Sequence, residues 1–125
     1  MYLLIVDEST GLNRVDLHPF GDGGFRVLLA TDPYLAVNML IDYRDQIGVV
    51  AIDGGSFKHA LLPVPNTNAY SLVKTFRSLL GPNVPIITMS GSSVGNQLLL
   101  EAGCSHELPD KKELLRFVSE MFDSE

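Results

Sequence analysis

Short, uninterrupted apolar runs separated by helical patterns are the feature that most restricts how this chain can fold. Apolar runs without polar alternation are typical of strands that are buried on both faces of a sheet. Five such strands are predicted, at residues 2–6, 25–30, 49–52, 84–89 and 104–108, the last of them short. Strands that alternate with helices predict a parallel sheet covered by helices on both faces.

The segments between these runs carry helix signals. One helix is expected to begin at Pro33, behind the capping side chain of Asp32. Its buried face is expected to consist of Ala36, Val37, Leu40 and Ile41. Further helices are predicted over residues 68–80, 94–102 and from Asp110 onward, the first two ended by Gly81 and Gly103. Glu113 stands three residues beyond Asp110, the spacing of a capping box.

Two connections in the predicted alternation are irregular. Residues 9–24 should contain the first helix, but Pro19 and the stretch GDGG predict a short or broken one. Residues 54–67 form a long connection that includes the apolar stretch ALLPVP. That stretch either docks a partner or folds onto the sheet edge, and both interpretations remain open.

Size and composition restrict the class of protein. The 125 residues suit one domain covering 1–125, and the formal net charge of −6 argues against binding a nucleic-acid backbone. The single cysteine, Cys104, excludes an internal disulfide and favours a reducing compartment. We expect it to be a small buried residue. Because no apolar stretch is long enough for a membrane span, the cytoplasm is the expected location.

Acidic residues follow two of the predicted strands at the point where each strand ends. Asp7 and Glu8 follow the first strand, and Asp53 follows the third. If both strands are central and parallel, the three carboxylates converge at one edge of the sheet. Clustered carboxylates repel one another unless a proton or a cation compensates them. Mg²⁺ is a hard cation that prefers oxygen ligands, so these acids predict a magnesium site.

A magnesium site of this kind favours phosphoryl chemistry. A carboxylate beside a bound metal and a phosphate can act as a nucleophile and form an acyl phosphate. Ser90, at the end of the fourth predicted strand, would offer its hydroxyl to the phosphoryl group, although SGSS also suits a helix-capping loop. The flexible backbone at Gly54-Gly55 would allow a carbonyl to turn toward the metal. A lone aspartate at a strand end is usually a turn residue. The interpretation as a site therefore depends on finding acids at the ends of two strands together with a hydroxyl at the end of a third.

Four motifs, LLIVDES, VVAID, VPIITMSG and LEAGCSHEL, resemble those of the receiver (CheY-like) domain of two-component response regulators. The resemblance spans the whole chain and implies a flavodoxin-like fold, a (βα)5 chain with a five-stranded parallel sheet in a three-layer α/β/α sandwich. It also implies that Asp53 is the phosphoacceptor and that Ser90 contacts the phosphoryl group. By the same resemblance, Asp7, Glu8 and Asp53 would be magnesium ligands, and Gly55 would contribute a backbone carbonyl.

The chain departs from the receiver pattern near the fifth strand. Receivers carry a lysine after this strand, and here that position is Asp110 when counted forward or Glu107 when counted back from the last helix. Lys111 and Lys112 stand nearby, and we interpret them as solvated residues of the first helical turn. The switch aromatic of the family is also absent, because Glu107 or His106 occupies its neighbourhood.

Two functions of different classes therefore remain open. In the first, the protein is a phosphorelay receiver that accepts a phosphoryl group on Asp53 with Mg²⁺ from a sensor histidine kinase or a phosphotransfer protein. In the alternative, it is a pseudo-receiver that acts as a protein-interaction module without phosphorylation. In the first case, catalysis by the protein would be at most self-phosphorylation and autodephosphorylation of the aspartate, without turnover of a separate substrate. The expected partners are signalling proteins, with a homodimer possible through the last helix, and neither nucleic acid nor membrane.

Overall fold

The predicted parallel sheet is present in the computed structural model, which describes residues 1–7, 26–31, 33–53, 67–89, 93–108 and 110–123. Its strands are β1 (Tyr2–Val6), β2 (Arg26–Ala30), β3 (Ile47–Ile52), β4 (Ile86–Thr88) and β5 (His106–Glu107). They form one five-stranded sheet in the order β2-β1-β3-β4-β5. Every neighbouring pair of strands is parallel, as the alternation of strands and helices predicts.

Helices follow most of the strands along the described part of the chain. They are α1 (Pro33–Asp42), α2 (Thr67–Leu80), α3 (Ser93–Ala102) and α4 (Leu114–Asp123), and a 3-10 turn (Lys111–Glu113) leads into α4. Within these ranges, no helix is long and apolar enough to cross a membrane. The broken helix expected in residues 9–24 and the connection at 54–66 lie outside the described residues.

Side chains on alternate residues of the strands enter two separate apolar cores. On one face of the sheet, Leu4 and Val6 pack with residues of α1, α2 and α3, among them Phe76. On the other face, Leu3 and Ile5 pack with Leu114 and Val118 of α4. Successive side chains of a strand point to opposite faces, so continuous apolar strands serve two cores at once. The result is the three-layer α/β/α arrangement that was expected.

The bounds of β3 and β4 differ from the sequence prediction. β3 begins at Ile47, two residues before the predicted start, and β4 is shorter than residues 84–89. Pro85 has no N–H to donate, yet its carbonyl still accepts a hydrogen bond from Val50 N–H at 3.0 Å. Around β5 the ladder continues through Ser105 and Leu108, whose amides donate to β4 carbonyls at 2.8 Å each.

The prediction for the buried face of α1 is wrong at one residue. Ala36 and Leu40 are buried, whereas Ile41 is 56% exposed. Consecutive residues of a helix point about 100° apart, so Ile41 turns away from the surface that Leu40 contacts. The apolar residues of this helix therefore extend beyond the side that packs against the core.

Candidate functional site at the carboxyl edge of the sheet

The carboxyl ends of β1 and β3 lie side by side at the point where the strand order reverses. The chain runs from β1 to β2 on one side and then crosses to β3 on the other. Ligands of open α/β sheets bind in the crevice at such a switch point. Val6 pairs with Ile52 in register, so Asp7 and Asp53 are the next residues of adjacent strands. The structure thus brings two of the three predicted acids together.

The backbone of both aspartates is tied to the sheet. Asp53 N–H donates to the carbonyl of Val6 at 3.0 Å, and Asp7 N–H donates to the carbonyl of Ala30 at 3.1 Å. These bonds continue the parallel ladder by one residue beyond each strand. Both acids are therefore held by the rigid sheet rather than by a loose connection, which suits groups that must keep a defined geometry.

The two aspartates differ in their access to solvent. Asp7 is fully buried, whereas Asp53 is partly exposed. Burying a carboxylate is unfavourable unless polar groups compensate it. Among the described residues, no buried side-chain nitrogen or oxygen lacks a hydrogen-bond partner, so the compensation of Asp7 is internal to the protein. Asp53 is consequently the acid that a reactant from solvent can reach.

The remaining predicted site residues lie outside the described residues. These are Glu8, Gly55 and Ser90. Met89, which directly precedes Ser90, donates its N–H to the carbonyl of Ile52 at 2.9 Å, so the chain leaves β4 beside Asp53. In the described ranges there is no group of three or more His, Cys, Asp or Glu side chains that could hold a metal. Since two predicted ligands, Glu8 and Gly55, fall outside these ranges, the magnesium site stays a prediction.

A buried polar pair beside the site was missed by sequence reasoning. The hydroxyl of Thr88, on β4, donates to Oδ1 of Asn96, on α3, at 2.7 Å. Both residues are buried, with 0% and 2% of their surface exposed. A polar residue within the otherwise apolar run VPIITM was the available signal, but its partner is set by the packing of α3.

The corner after β5 carries Asp110, at the position where the resemblance to receivers would place a lysine. Asp110 is exposed, and its Oδ1 accepts a hydrogen bond from Lys112 N–H at 3.0 Å, while its carbonyl accepts one from Glu113 N–H, also at 3.0 Å. The Asp110 side chain thus caps this turn, as predicted, although the α-helix begins later, at Leu114, because the 3-10 turn intervenes. The reciprocal contact of the Glu113 side chain stays a prediction. The side chain of Lys112 is exposed, as expected for a solvated residue of this turn.

The surface of β5 carries a histidine rather than a switch aromatic of its own. Nδ1 of His106 lies 2.7 Å from the hydroxyl of Ser105, and the His106 ring meets the ring of Phe117 edge-on at a centroid distance of 5.8 Å. Phe117 belongs to α4 and packs against the core beneath this helix. Glu107 is exposed on the same strand. The His106 ring thus packs edge-on against a side chain of the neighbouring helix.

Cys104 takes no part in the site. It is buried in the core beneath α2 and α3, as predicted. Burial raises the pKa of its thiol from 9.0 to about 12, and the nearby Arg77 offsets only part of this effect. The reactive form of cysteine is the thiolate, so this residue is chemically inert at neutral pH.

No protein-family model matches the chain, and no curated protein matches it. Any family likeness must therefore come from the three-dimensional structure, for which sequence identity is not required.

Solved structures with the same fold cover nearly the whole chain. A CheY-like receiver domain protein from Methanospirillum hungatei JF-1 is 19% identical with a TM-score of 0.70, over 98% of this chain and 94% of that chain. A two-component response regulator from Clostridium difficile is 15% identical with a TM-score of 0.73, over 98% and 96%. A chain of the CheX–CheY–BeF3–Mg²⁺ complex from Borrelia burgdorferi is 22% identical with a TM-score of 0.69, over 98% and 89%. The chain therefore has the flavodoxin-like, CheY-like fold of response-regulator receiver domains.

Proposed function

We propose that this protein is a phosphorelay receiver that accepts a phosphoryl group on Asp53. The observation that carries the proposal is the placement of Asp7 and Asp53 on adjacent strand ends at the switch point, with Asp53 open to solvent. A reactive carboxylate must be reached from outside, whereas a metal ligand can be buried. The fold of receiver domains supports the same assignment.

The donor set of the proposed site suits Mg²⁺. Asp7, Glu8 and Asp53 would hold the ion through carboxylate oxygens, and Gly55 would add a backbone carbonyl; these hard oxygen ligands match the preference of the ion. When bound, Mg²⁺ supplies positive charge that neutralises the phosphoryl oxygens and the repulsion between the acids. One chain with a similar fold belongs to a complex that contains BeF3 and Mg²⁺.

In the transfer step, a carboxylate oxygen of Asp53 forms a bond to phosphorus while the bond from phosphorus to the donor's leaving atom breaks. The leaving group keeps the electron pair of that bond and takes up a proton. For a phosphohistidine donor the leaving atom is an imidazole nitrogen. The Ser90 hydroxyl would donate a hydrogen bond to the transferred group, where charge-assisted bonds are strong.

The partner of such a receiver would be a sensor histidine kinase, a phosphotransfer protein or another signalling protein. One structure with this fold is the receiver domain of the hybrid histidine kinase CckA, and another comes from a CheX–CheY complex. The single buried cysteine agrees with a reducing setting such as the cytoplasm. Residues 1–125 would act as one receiver domain.

A pseudo-receiver is the second candidate, and the corner after β5 favours it. The carboxylate of Asp110 is occupied by a backbone amide of the turn, and Glu107 is exposed beside it. Neither acid can supply the positive charge that a lysine would bring to the transition state of phosphoryl transfer. A protein that signals only through binding would not need that charge.

Beryllofluoride, a stable mimic of a phosphoryl group on aspartate, separates the two candidates. Proton-nitrogen NMR spectra should be recorded with Mg²⁺ alone and then with Mg²⁺ and beryllofluoride. We expect amide shifts at Asp53 and its neighbours, spreading into β4, for the wild type and for the control Asp45→Asn. Asp45 is exposed in the turn before β3, so this control removes the same charge away from the site.

The variant Asp53→Asn should fold normally and show no response to beryllofluoride, because an amide does not provide the anionic oxygen that the mimic binds. A wild type that responds to neither addition would overturn the phosphoacceptor assignment and leave the pseudo-receiver. A response retained in Asp53→Asn would place the binding group elsewhere.

A further inference from the structure

β2 forms one edge of the sheet, because among the described strands it has a neighbour, β1, on one side only. The backbones of Arg26 and Ala30, at the two ends of the strand, are hydrogen-bonded to the residues just before and just after β1, at 3.0 and 3.1 Å. Backbone polar groups of successive strand residues point to alternate sides, so those of Leu28 also face β1. The N–H and C=O groups of Val27 and Leu29 consequently point away from β1.

The sequence of β2 has few of the features that keep edge strands from pairing. Proteins usually protect an edge with charged residues, prolines or bulges. β2 has one charged residue, Arg26, at its first position, and its register with β1 runs without a shift. Its central residues, Val27, Leu28 and Leu29, are apolar and partly exposed. Such an edge can template a further strand.

The helix beside this edge has an exposed apolar face. α1 packs against β1, β2 and α2, with Ala36 and Leu40 in the core. On its other side, Tyr34 is 66% exposed and Ile41 is 56% exposed. These two residues lie two helical turns apart and therefore share one face. Charged residues normally occupy the solvent face of a helix, but α1 contains only Asp42, in its last turn.

A second copy of the chain fits both features at once. Two β2 strands related by a two-fold axis run antiparallel, and an axis at Leu28 places Val27 opposite Leu29 of the partner subunit. Each such pair exchanges two hydrogen bonds, so the outward-facing backbone groups are satisfied in both copies. The same axis brings the two α1 helices together in opposite directions, with Tyr34 toward Ile41 of the partner subunit. An unrelated strand could pair with β2 but would not by itself cover α1.

The distribution of charge also favours this antiparallel arrangement. Asp42 stands at the negative end of its own helix, and no basic residue in the last turn compensates it. In the pair it lies toward the start of the partner's α1, where the positive end of the helix dipole favours an acid. Arg26 comes opposite the end of the partner's β2, at the edge of the sheet that carries Asp7 and Asp53. Opposite charges are thus brought closer, although each copy has a net charge of −6.

We propose that the protein forms a homodimer in which two β2 edges pair antiparallel and join two five-stranded sheets into one of ten strands. The two α1 helices cover the junction on one face. This interface differs from the dimer through the last helix that the sequence suggested, and it does not depend on the proposed receiver function. One strand and one helix face bury less than the roughly 800 Å² per partner of a standard interface, so the dimer exchanges with the monomer.

Amide hydrogen exchange at two protein concentrations tests the pairing without any substitution. We expect the Val27 and Leu29 amides to exchange at least about tenfold more slowly at about 1 mM than at about 20 µM, because pairing shields them from water. The Leu28 amide is the internal control, since it faces β1 in both states and should not change. Sedimentation equilibrium over the same range gives the molar mass. A monomer at all concentrations, or a dimer that leaves exchange at Val27 and Leu29 unchanged, would overturn the proposal.

Two substitutions test the strand and the helix separately. Val27→Pro removes an outward N–H that does not serve the bonds to β1, and proline is tolerated at such edge positions. We expect it to raise the dissociation constant of the dimer at least about tenfold, as the loss of a hydrogen bond implies. Ile41→Ser, on the exposed face of α1, should also weaken the dimer and tests the interface even if Val27→Pro does not fold. Circular dichroism checks the fold of each variant.

A substitution on α4 separates this interface from one through the last helix. Glu120→Lys reverses a charge on the exposed surface of α4 and should leave the dissociation constant unchanged. A dimer that tolerates Val27→Pro and Ile41→Ser but is weakened by Glu120→Lys is formed by the last helix, and the proposal is then wrong. The proposal also fails if the β2 edge binds a different protein while the chain itself stays monomeric.

Discussion

At the scale of single residues, Arg77 makes several contacts that sequence reasoning did not anticipate. Its guanidinium donates to the carbonyls of Gly81 and Val84 at 2.8 Å each. It also donates to the carbonyl of Gly103 at 2.7 and 3.0 Å. These carbonyls belong to the end of α2, the connection to β4 and the end of α3. One side chain thus joins segments that are distant in sequence. They lie at the amino-terminal ends of the strands, opposite the end that carries Asp53.

The variant Arg77→Met should lower the free energy of unfolding by about 2–3 kcal/mol. Methionine keeps an apolar stem but leaves three carbonyls without the charged donor, and hydrogen bonds to charged groups contribute more than neutral ones. Urea unfolding measures the change. Arg116→Met is the control, because Arg116 is 73% exposed in its ion pairs with Glu113 and Glu120, and such pairs contribute less than about 1 kcal/mol. Equal losses for the two variants would contradict a specific role for Arg77.

At the scale of secondary-structure elements, two helices end on glycines with positive φ. Gly81, after α2, has φ of 82°, and Gly103, after α3, has φ of 136°. Residues with a Cβ are strained at positive φ, so both helix ends favour glycine, as their place in the sequence predicts. The surroundings differ, because a Cβ on Gly81 would meet no atom within 4 Å, whereas one on Gly103 would lie 3.3 Å from Cβ of Arg77.

This difference predicts unequal effects of alanine at the two helix ends. Gly81→Ala should cost about 1 kcal/mol of unfolding free energy from backbone strain alone. Gly103→Ala should cost more, roughly 2 kcal/mol or above, because a larger φ and the close contact with Arg77 add to the strain. Urea titrations of both variants, with unchanged slopes, give the comparison. A Gly81→Ala loss as large as that of Gly103→Ala would show that the contact adds nothing.

The helices and strands were predictable from local signals, whereas their exact bounds and the contacts between distant segments were not. Apolar runs and glycine stops identify the strands and helix ends because both depend on residues close in sequence. β4 is shorter than its apolar run because strand bounds also depend on pairing with β3 and β5. Arg77 and Gly103 are 26 residues apart, and nothing local indicates that they meet. The bond between Thr88 and Asn96 was missed for the same reason.

At the scale of the whole molecule, the strand order places the candidate site. Alternating strands and helices predict a parallel sheet, but this pattern alone does not say which strands are neighbours. The order β2-β1-β3-β4-β5 puts the ends of β1 and β3 side by side and so juxtaposes Asp7 with Asp53. The convergence of these two acids was predicted from strand ends and by resemblance, and the topology confirms it at the level of the backbone. Their partnership with Glu8 and Ser90 stays a prediction.

Convergence of acids has a consequence for the stability of the whole fold. Like charges at one edge destabilise the native state when no cation is present, so Asp53→Asn should melt at a higher temperature than the wild type in a chelator. A ligand that binds only the folded protein stabilises it by mass action, about 2.7 kcal/mol at one hundred times its dissociation constant. Mg²⁺ should therefore raise the melting temperature of the wild type and reverse the order of the two proteins.

Asp45→Asn again provides the control, since it changes the net charge equally at an exposed turn. It should melt like the wild type in chelator and gain the same stabilisation from Mg²⁺, because surface charges away from the cluster interact weakly. Calorimetry of the three proteins in both conditions gives six melting temperatures. These test whether the acids repel each other and whether Mg²⁺ binds at Asp53. If Asp53→Asn and the wild type melt together in chelator, the acids do not repel each other. If Mg²⁺ stabilises both alike, the ion is bound away from Asp53, and the switch point is then not the magnesium site.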